Sequence, residues 1–128
     1  MKTVTRSWIL KAERDYKVAQ GLLRRWQAGY ADAACFHCQQ AVEKYLKARL
    51  IETGIPFPRT HDLSTLLALL LPRHPLWQSF DAACQTLTQY AVNVRYPGDD
   101  ATKRDAREAL LFATAIRREA RLVLRLKS

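Results

Sequence analysis

Glycine and proline cut this chain into about five stretches, and within each stretch apolar residues recur at helical rather than alternating spacing. No run alternates in the way a half-buried strand requires, so the fold class read from the pattern is all-α. The first helix is expected from about Thr5 to Gln27, with Trp8, Ala12, Ala19, Leu22, Leu23 and Trp26 on one face and Gly29 as the break. Asp15 falls on that apolar face, where a carboxylate has to lie at the rim or be paired. A second helix, about Tyr30 to Glu52, ends at Gly54, and Pro56-Phe57-Pro58 holds the chain extended until Thr60 caps a third, leucine-rich helix. Pro72 and Pro75 bracket the end of that helix, with His74 as a surface turn residue between them. A fourth helix is expected from about Leu76 to Val94, then a turn at Pro97-Gly98, and a last helix from about Ala101 to Leu126 capped by Asp99 or Asp100.

The second helix carries the densest polar information. Ala34, Cys38, Ala41, Val42, Tyr45 and Leu46 form its apolar stripe, while Gln39, Glu43 and Lys47 lie four apart on a neighbouring face. The last helix sets Ala106, Ala109, Leu110, Ala113, Ile116, Ala120 and Val123 along one stripe. Beside it run Lys103, Arg104, Arg107, Arg117, Arg118, Arg121 and Arg125, read either as a solvated flank paired with nearby acids or as a docking surface for phosphate or an acidic partner. Trp8, Trp26 and Trp77 are core or interface anchors.

The 128 residues, 48% of them hydrophobic, suit one domain over residues 1–128, without repeats or linkers. There is no run of about 18 apolar residues to span a bilayer, and the charged N-terminal segment does not read as a signal core. The expectation is a soluble, cytoplasmic protein that does not engage a membrane, with Cys35, Cys38 and Cys84 as reduced thiols. A formal net charge of +9 favours polyanions without choosing among nucleic acid, nucleotide and acidic protein. Cys35-Phe36-His37-Cys38 lacks a second ligand pair at zinc spacing, so no metal is expected. The glycines at 21, 29, 54 and 98 form no phosphate-cradling loop, and no cofactor is expected.

Five ordered pieces carry a resemblance that spans nearly the whole chain: Ala12-Glu13-Arg14-Asp15-Tyr16 with Ala19, Gln39 through Ala48, Gly54 with Pro58, Thr60-His61-Asp62-Leu63, and Arg95-Tyr96-Pro97. Together they resemble the HEPN domain in its small, free-standing prokaryotic form. The resemblance implies an antiparallel bundle of about five helices that forms homodimers. It also implies a separately encoded minimal nucleotidyltransferase as partner, in a two-gene module of toxin–antitoxin type. Other HEPN proteins are metal-independent ribonucleases carrying an Arg-x(4–6)-His motif, whereas here no His follows Arg95. That departure argues against an enzyme.

The leading reading is therefore a HEPN component that acts by dimerisation and by partner or nucleotide binding, with Lys44, Lys47, His61, Arg95 and Tyr96 as the ligand-binding candidates. One alternative is a metal-independent ribonuclease toxin with a non-standard site, in which His61 takes a 2′-hydroxyl proton and Arg95 stabilises the developing phosphorane charge. Another is a simple RNA or nucleotide binder, with Tyr96 stacking on a base. The structural alternative has His61 and Asp62 bracing the third helix and Arg95 anchoring a loop through Asp15 or Glu43.

Overall fold

The computed structural model describes residues 1–92 and 96–127. Five α-helices and one 3-10 turn account for the regular structure: α1 Thr3–Arg24, α2 Ala31–Glu52, α3 Leu63–Leu70, the 3-10 turn Pro75–Phe80, α4 Asp81–Thr88 and α5 Lys103–Val123. Among the described residues there is no strand, and no helix is long and apolar enough to cross a membrane.

The short connection between α1 and α2 makes them an antiparallel pair, and the cross-links follow that sense. Lys2 and Thr5 at the start of α1 both donate to the Glu52 carboxylate at the end of α2, while Asp15 farther along α1 meets Lys44 and His37 of α2. Packing α5 against this pair fixes a third direction. Tyr16 bonds Thr114 and Glu13 bonds Arg117, so α5 runs antiparallel to α1 and parallel to α2. The inner face of α5 is built from Ala106, Ala109, Ala113 and Ala120, small residues that let one helix lie close upon another, with Ile116 as the one large side chain among them. Leu110 and Val123, assigned to the same stripe, are half-buried against the core.

The short α3 and α4 close the remaining side of α2. Leu63, Leu66, Leu67 and Leu70 of α3 and Cys84 and Leu87 of α4 are buried. The Leu63 amide donates to Thr88 Oγ1, tying the start of α3 to the end of α4. Covered by all its neighbours, α2 has thirteen buried residues, and these include Gln39, Glu43 and Lys47 as well as its apolar stripe.

The first helix ends at Arg24 rather than Gln27 and the last at Val123 rather than Leu126, and three further differences from the sequence expectation have a local reason. Asp62, not Thr60, caps α3 by accepting from the Ser64 amide at 3.0 Å, and the Thr60 hydroxyl accepts instead from the Asp62 amide just before the helix. Thr102, not Asp99 or Asp100, caps α5, because with Asp105 three residues on it forms a reciprocal capping box that satisfies two free backbone donors. The expected fourth helix from about Leu76 is divided. Pro75 opens a 3-10 turn that swings Trp77 inward, and the α-helical segment begins only at Asp81 and ends at Thr88. The expected end at Val94 lies outside the described residues.

Trp77 is buried, whereas Trp8 and Trp26 are half-buried anchors packed against the core. His74 is more than a turn residue. Its ring stacks on Trp77 at 4.3 Å, and its Nε2 accepts from the Arg49 Nε–H.

Candidate functional site

Because α2 is enclosed, its polar row must satisfy itself inside the protein, since an unpartnered buried carboxylate or ammonium is costly. Glu43 is the centre of that arrangement, with a side chain only 5% exposed. Its Oε1 accepts from Gln39 Nε2 at 3.0 Å and from His61 Nδ1 at 2.9 Å, and its Oε2 accepts from Lys47 Nζ at 3.0 Å. Gln39 also donates to the His61 carbonyl, and its own oxygen accepts from Gln40. Burial pushes the Glu43 carboxyl up, but the hydrogen bonds from Gln39, His61 and Lys47, with the Lys47 charge, more than offset this and hold it below the ordinary glutamate value.

An ionised carboxylate can only accept, so His61 Nδ1 carries the hydrogen in this contact. In the neutral ring the opposite nitrogen, Nε2, then holds a lone pair, and the side chain is 66% exposed. It borders a cleft of about 460 Å³ lined by Trp8 from α1, Lys47 from α2, and Phe57, Arg59, Thr60 and His61 from the segment that joins α2 to α3. Lys47 Nζ lies 5.7 Å from the Trp8 ring centroid and 6.0 Å from that of Phe57, so one cation touches both aromatic walls. Pro56 and Pro58 set the path of this segment; the bonds from His61 Nδ1 and to its carbonyl tie it to α2.

Of the candidates read from sequence, the structure therefore brings together Lys47 and His61. It does not bring Lys44 to them. Lys44 Nζ pairs with Asp15 Oδ2, and His37 Nδ1 bonds Asp15 Oδ1 at 2.8 Å, which gives the Asp15 carboxylate its partners. Burial raises Asp15 and the bonds from His37 and Lys44 lower it further, for a net downward shift. Tyr96 is 82% exposed, and Arg95 lies outside the described residues. Trp8, Phe57 and Arg59 were not read as site residues. Trp8 lies on the apolar stripe of α1, and Phe57 reads as a spacer between two prolines, so only the tertiary approach of the 55–62 segment to α1 reveals them.

A second enclosed cluster ties the three long helices together. Glu13 receives Arg117 through two parallel bonds of 2.7 and 2.8 Å and also accepts from the Tyr45 hydroxyl, to which Arg121 donates at 2.9 Å. Two of the seven basic residues noted on α5 thus pair inward, as expected of a paired flank. The three cysteines are buried thiols; burial holds Cys38 well above the ordinary thiol range and pushes Cys84 up to about 12. Among the described residues no group of three His, Cys, Asp or Glu side chains is placed to hold a metal ion.

With this architecture in view, the class of protein can be stated. Residues 5–123 match the HEPN domain, and the chain belongs to the HEPN family. Two solved structures share the fold. TT1696 from Thermus thermophilus is 28% identical over 94% of this chain and 98% of its own, with a TM-score of 0.80. ST0689, an archaeal HEPN homologue, is 30% identical over 94% of this chain and 97% of its own, with a TM-score of 0.73. No curated protein sequence matches the chain significantly.

The ion pairs give acid sensitivity with a definite sign. Glu13, Asp15 and Glu43 all have folded values below their ordinary ones, so their stabilisation is present above the ordinary carboxylate range and is lost as pH falls through the folded values. Urea unfolding from pH 7 to pH 3 is expected to show constant stability down to about pH 5 and a decline below it. Glu43→Gln, which leaves the buried Lys47 charge without its counter-ion, is expected to cost about 3 kcal/mol at pH 7 and to make that acid decline shallower.

Proposed function

We propose that this HEPN bundle binds a nucleotide in the Trp8–Phe57–His61 cleft and acts by association rather than by turnover. The observation that carries the reading is the pairing of two aromatic walls with cations: Lys47 contacts both the Trp8 and Phe57 rings, and Arg59 and His61 stand at the same opening. A base stacks on an aromatic face, while guanidinium, ammonium and imidazole groups bind phosphate. A cleft of about 460 Å³ falls within the range of small-molecule sites. Glu43 supports the arrangement without neutralising it, because its charge is matched by Lys47 and leaves Arg59 as excess positive charge. Calorimetric titration with adenosine and guanosine monophosphates is expected to give saturable binding, weakened about tenfold or more by Trp8→Ala and by Arg59→Gln. Equal affinity in wild type and both variants would contradict the site.

The Glu43–His61 pair favours a second reading, cleavage of single-stranded RNA without metal. Here His61 Nε2 takes the 2′-hydroxyl proton, the 2′-oxygen attacks the adjacent phosphorus, and a 2′,3′-cyclic phosphate forms as the 5′-oxygen leaves and is protonated. Lys47 and Arg59 supply the charge that the phosphorane needs. This reading predicts cleavage in the presence of EDTA that is abolished in His61→Ala; intact RNA after incubation with wild type leaves binding as the function.

Family membership supports the wider setting, in which the chain forms a homodimer and pairs with a separately encoded minimal nucleotidyltransferase in a toxin–antitoxin module. Leu111 and Leu122, 71% and 66% exposed on one side of α5 with Ala115 and Arg118 between them, offer two apolar contacts along a seam for a second copy. Light scattering at micromolar concentration is expected to give twice the chain mass, and Leu111→Lys with Leu122→Lys to give the monomer. A monomeric wild type would contradict the seam.

A further inference from the structure

The acids of α1 are all drawn inward. Glu13 is bound by Arg117, Arg121 and Tyr45, and Asp15 by Lys44 and His37. The helix buries Thr5, Ile9, Ala12, Tyr16 and Ala19, and at 100° per residue the opposite sector carries Lys11, Arg14, Lys17 and Arg24, continued by Arg25 just past the helix end. All five cations are exposed, and none makes an ion pair among the described residues. These five cations form one face of α1 with no acid interleaved, a different surface from the cleft and from α5, whose own flank exposes Lys103, Arg104, Arg107 and Arg118.

At the end of this face the surface becomes concave. A notch of about 550 Å³ lies between Lys17, Arg24 and Arg25 on one side and Tyr30 at the entry of α2 on the other, with no acidic side chain in its lining. Gly21 lies in its floor, where even an added Cβ would meet nothing within 4 Å. Tyr30 is 46% exposed, so an aromatic face is available beside three cations. Lys11 to Arg25 extends about 21 Å along the helix, enough for several consecutive phosphates.

From this geometry we propose that the outer face of α1 binds single-stranded nucleic acid, with Lys11, Arg14, Lys17, Arg24 and Arg25 along the phosphodiester backbone and one base stacked on Tyr30 in the notch. The row of cations alone would suit any polyanion. The aromatic at the concave end selects a strand with unpaired bases over an acidic polypeptide or a duplex, because only unpaired bases can leave the strand and stack on a side chain. The surface operates independently of the nucleotide cleft, since Trp8 and His61 do not line the notch.

The test is fluorescence anisotropy of a labelled 20-nucleotide single-stranded RNA across a salt series. The full chain is used, with circular dichroism to confirm that each surface variant remains helical. Lys17→Gln/Arg24→Gln/Arg25→Gln is expected to weaken binding at least tenfold and to make the slope of log affinity against log salt shallower by about 2. Tyr30→Ala is expected to weaken binding about tenfold with the salt slope unchanged. The same triple variant should titrate adenosine monophosphate as wild type does, because none of its three positions lines the nucleotide cleft, which separates failure of this surface from failure of the cleft. Absence of RNA binding by wild type, an unchanged slope in the triple variant, no effect of Tyr30→Ala, or equal competition by polyglutamate or by duplex RNA would each overturn the proposal.

Discussion

The Glu43 carboxylate is the constraint around which the rest of this molecule is arranged. A helix covered on every side cannot leave an acid unpaired, and Glu43 takes two partners from its own helix and one from the segment that leads to α3. Gln39 and Lys47 lie one turn away on either side of it in α2, whereas His61 comes from the segment leading to α3. Through His61 the carboxylate holds the wall of the cleft, and through Lys47 it places an ammonium against Trp8 and Phe57. The groups that stabilise the interior are therefore the same ones that shape the opening, and a ligand at the cleft meets side chains already held in place by packing.

A second consequence follows from how the remaining acids are used. Glu13 stitches α1 to α2 and α5, Asp15 stitches α1 to α2, and Glu52 receives the start of α1. Glu13, Asp15 and Glu43 are thus engaged between helices, whereas Asp62, Asp99, Asp100 and Glu108 stay at the surface. With both of its acids drawn inward, α1 presents part of the chain's net charge of +9 as a face of cations. Charge-assisted bonds between helices also fix the relative register of α1, α2 and α5, which apolar stripes of alanine define only loosely.

Several of these features could be read directly from the residues, and others required the fold. Gly29, Gly54 and the proline pairs set the helix breaks because their backbone preferences are local, and the alanine stripe of α5 showed its inner face by periodicity alone. That Asp15 had to lie at the rim or be paired was evident from its position on an apolar face, and His37 and Lys44 supply the pairing. The division of the fourth helix at Phe80 was not evident, since it depends on Trp77 packing inward and stacking on His74. Gln39, Glu43 and Lys47 stood out as a polar row at i, i+4 spacing, and only the approach of α1 and the 55–62 segment turns that row into an interior network. Lys44, one residue away from Glu43, points to a different acid for the same reason.

The most direct test of this account is the side-chain nitrogen spectrum of His61, read through long-range nitrogen–proton correlations in the free protein and with a nucleoside monophosphate present. Glu43 anchoring requires hydrogen on Nδ1 and a lone pair on Nε2 in the neutral ring, and the nucleotide reading requires the Nε2 resonance to move as the cleft fills. Both results together would place His61 at once on its internal anchor and at the ligand. Hydrogen on Nε2 in the neutral free protein, or a His61 spectrum indifferent to saturating nucleotide, would contradict it.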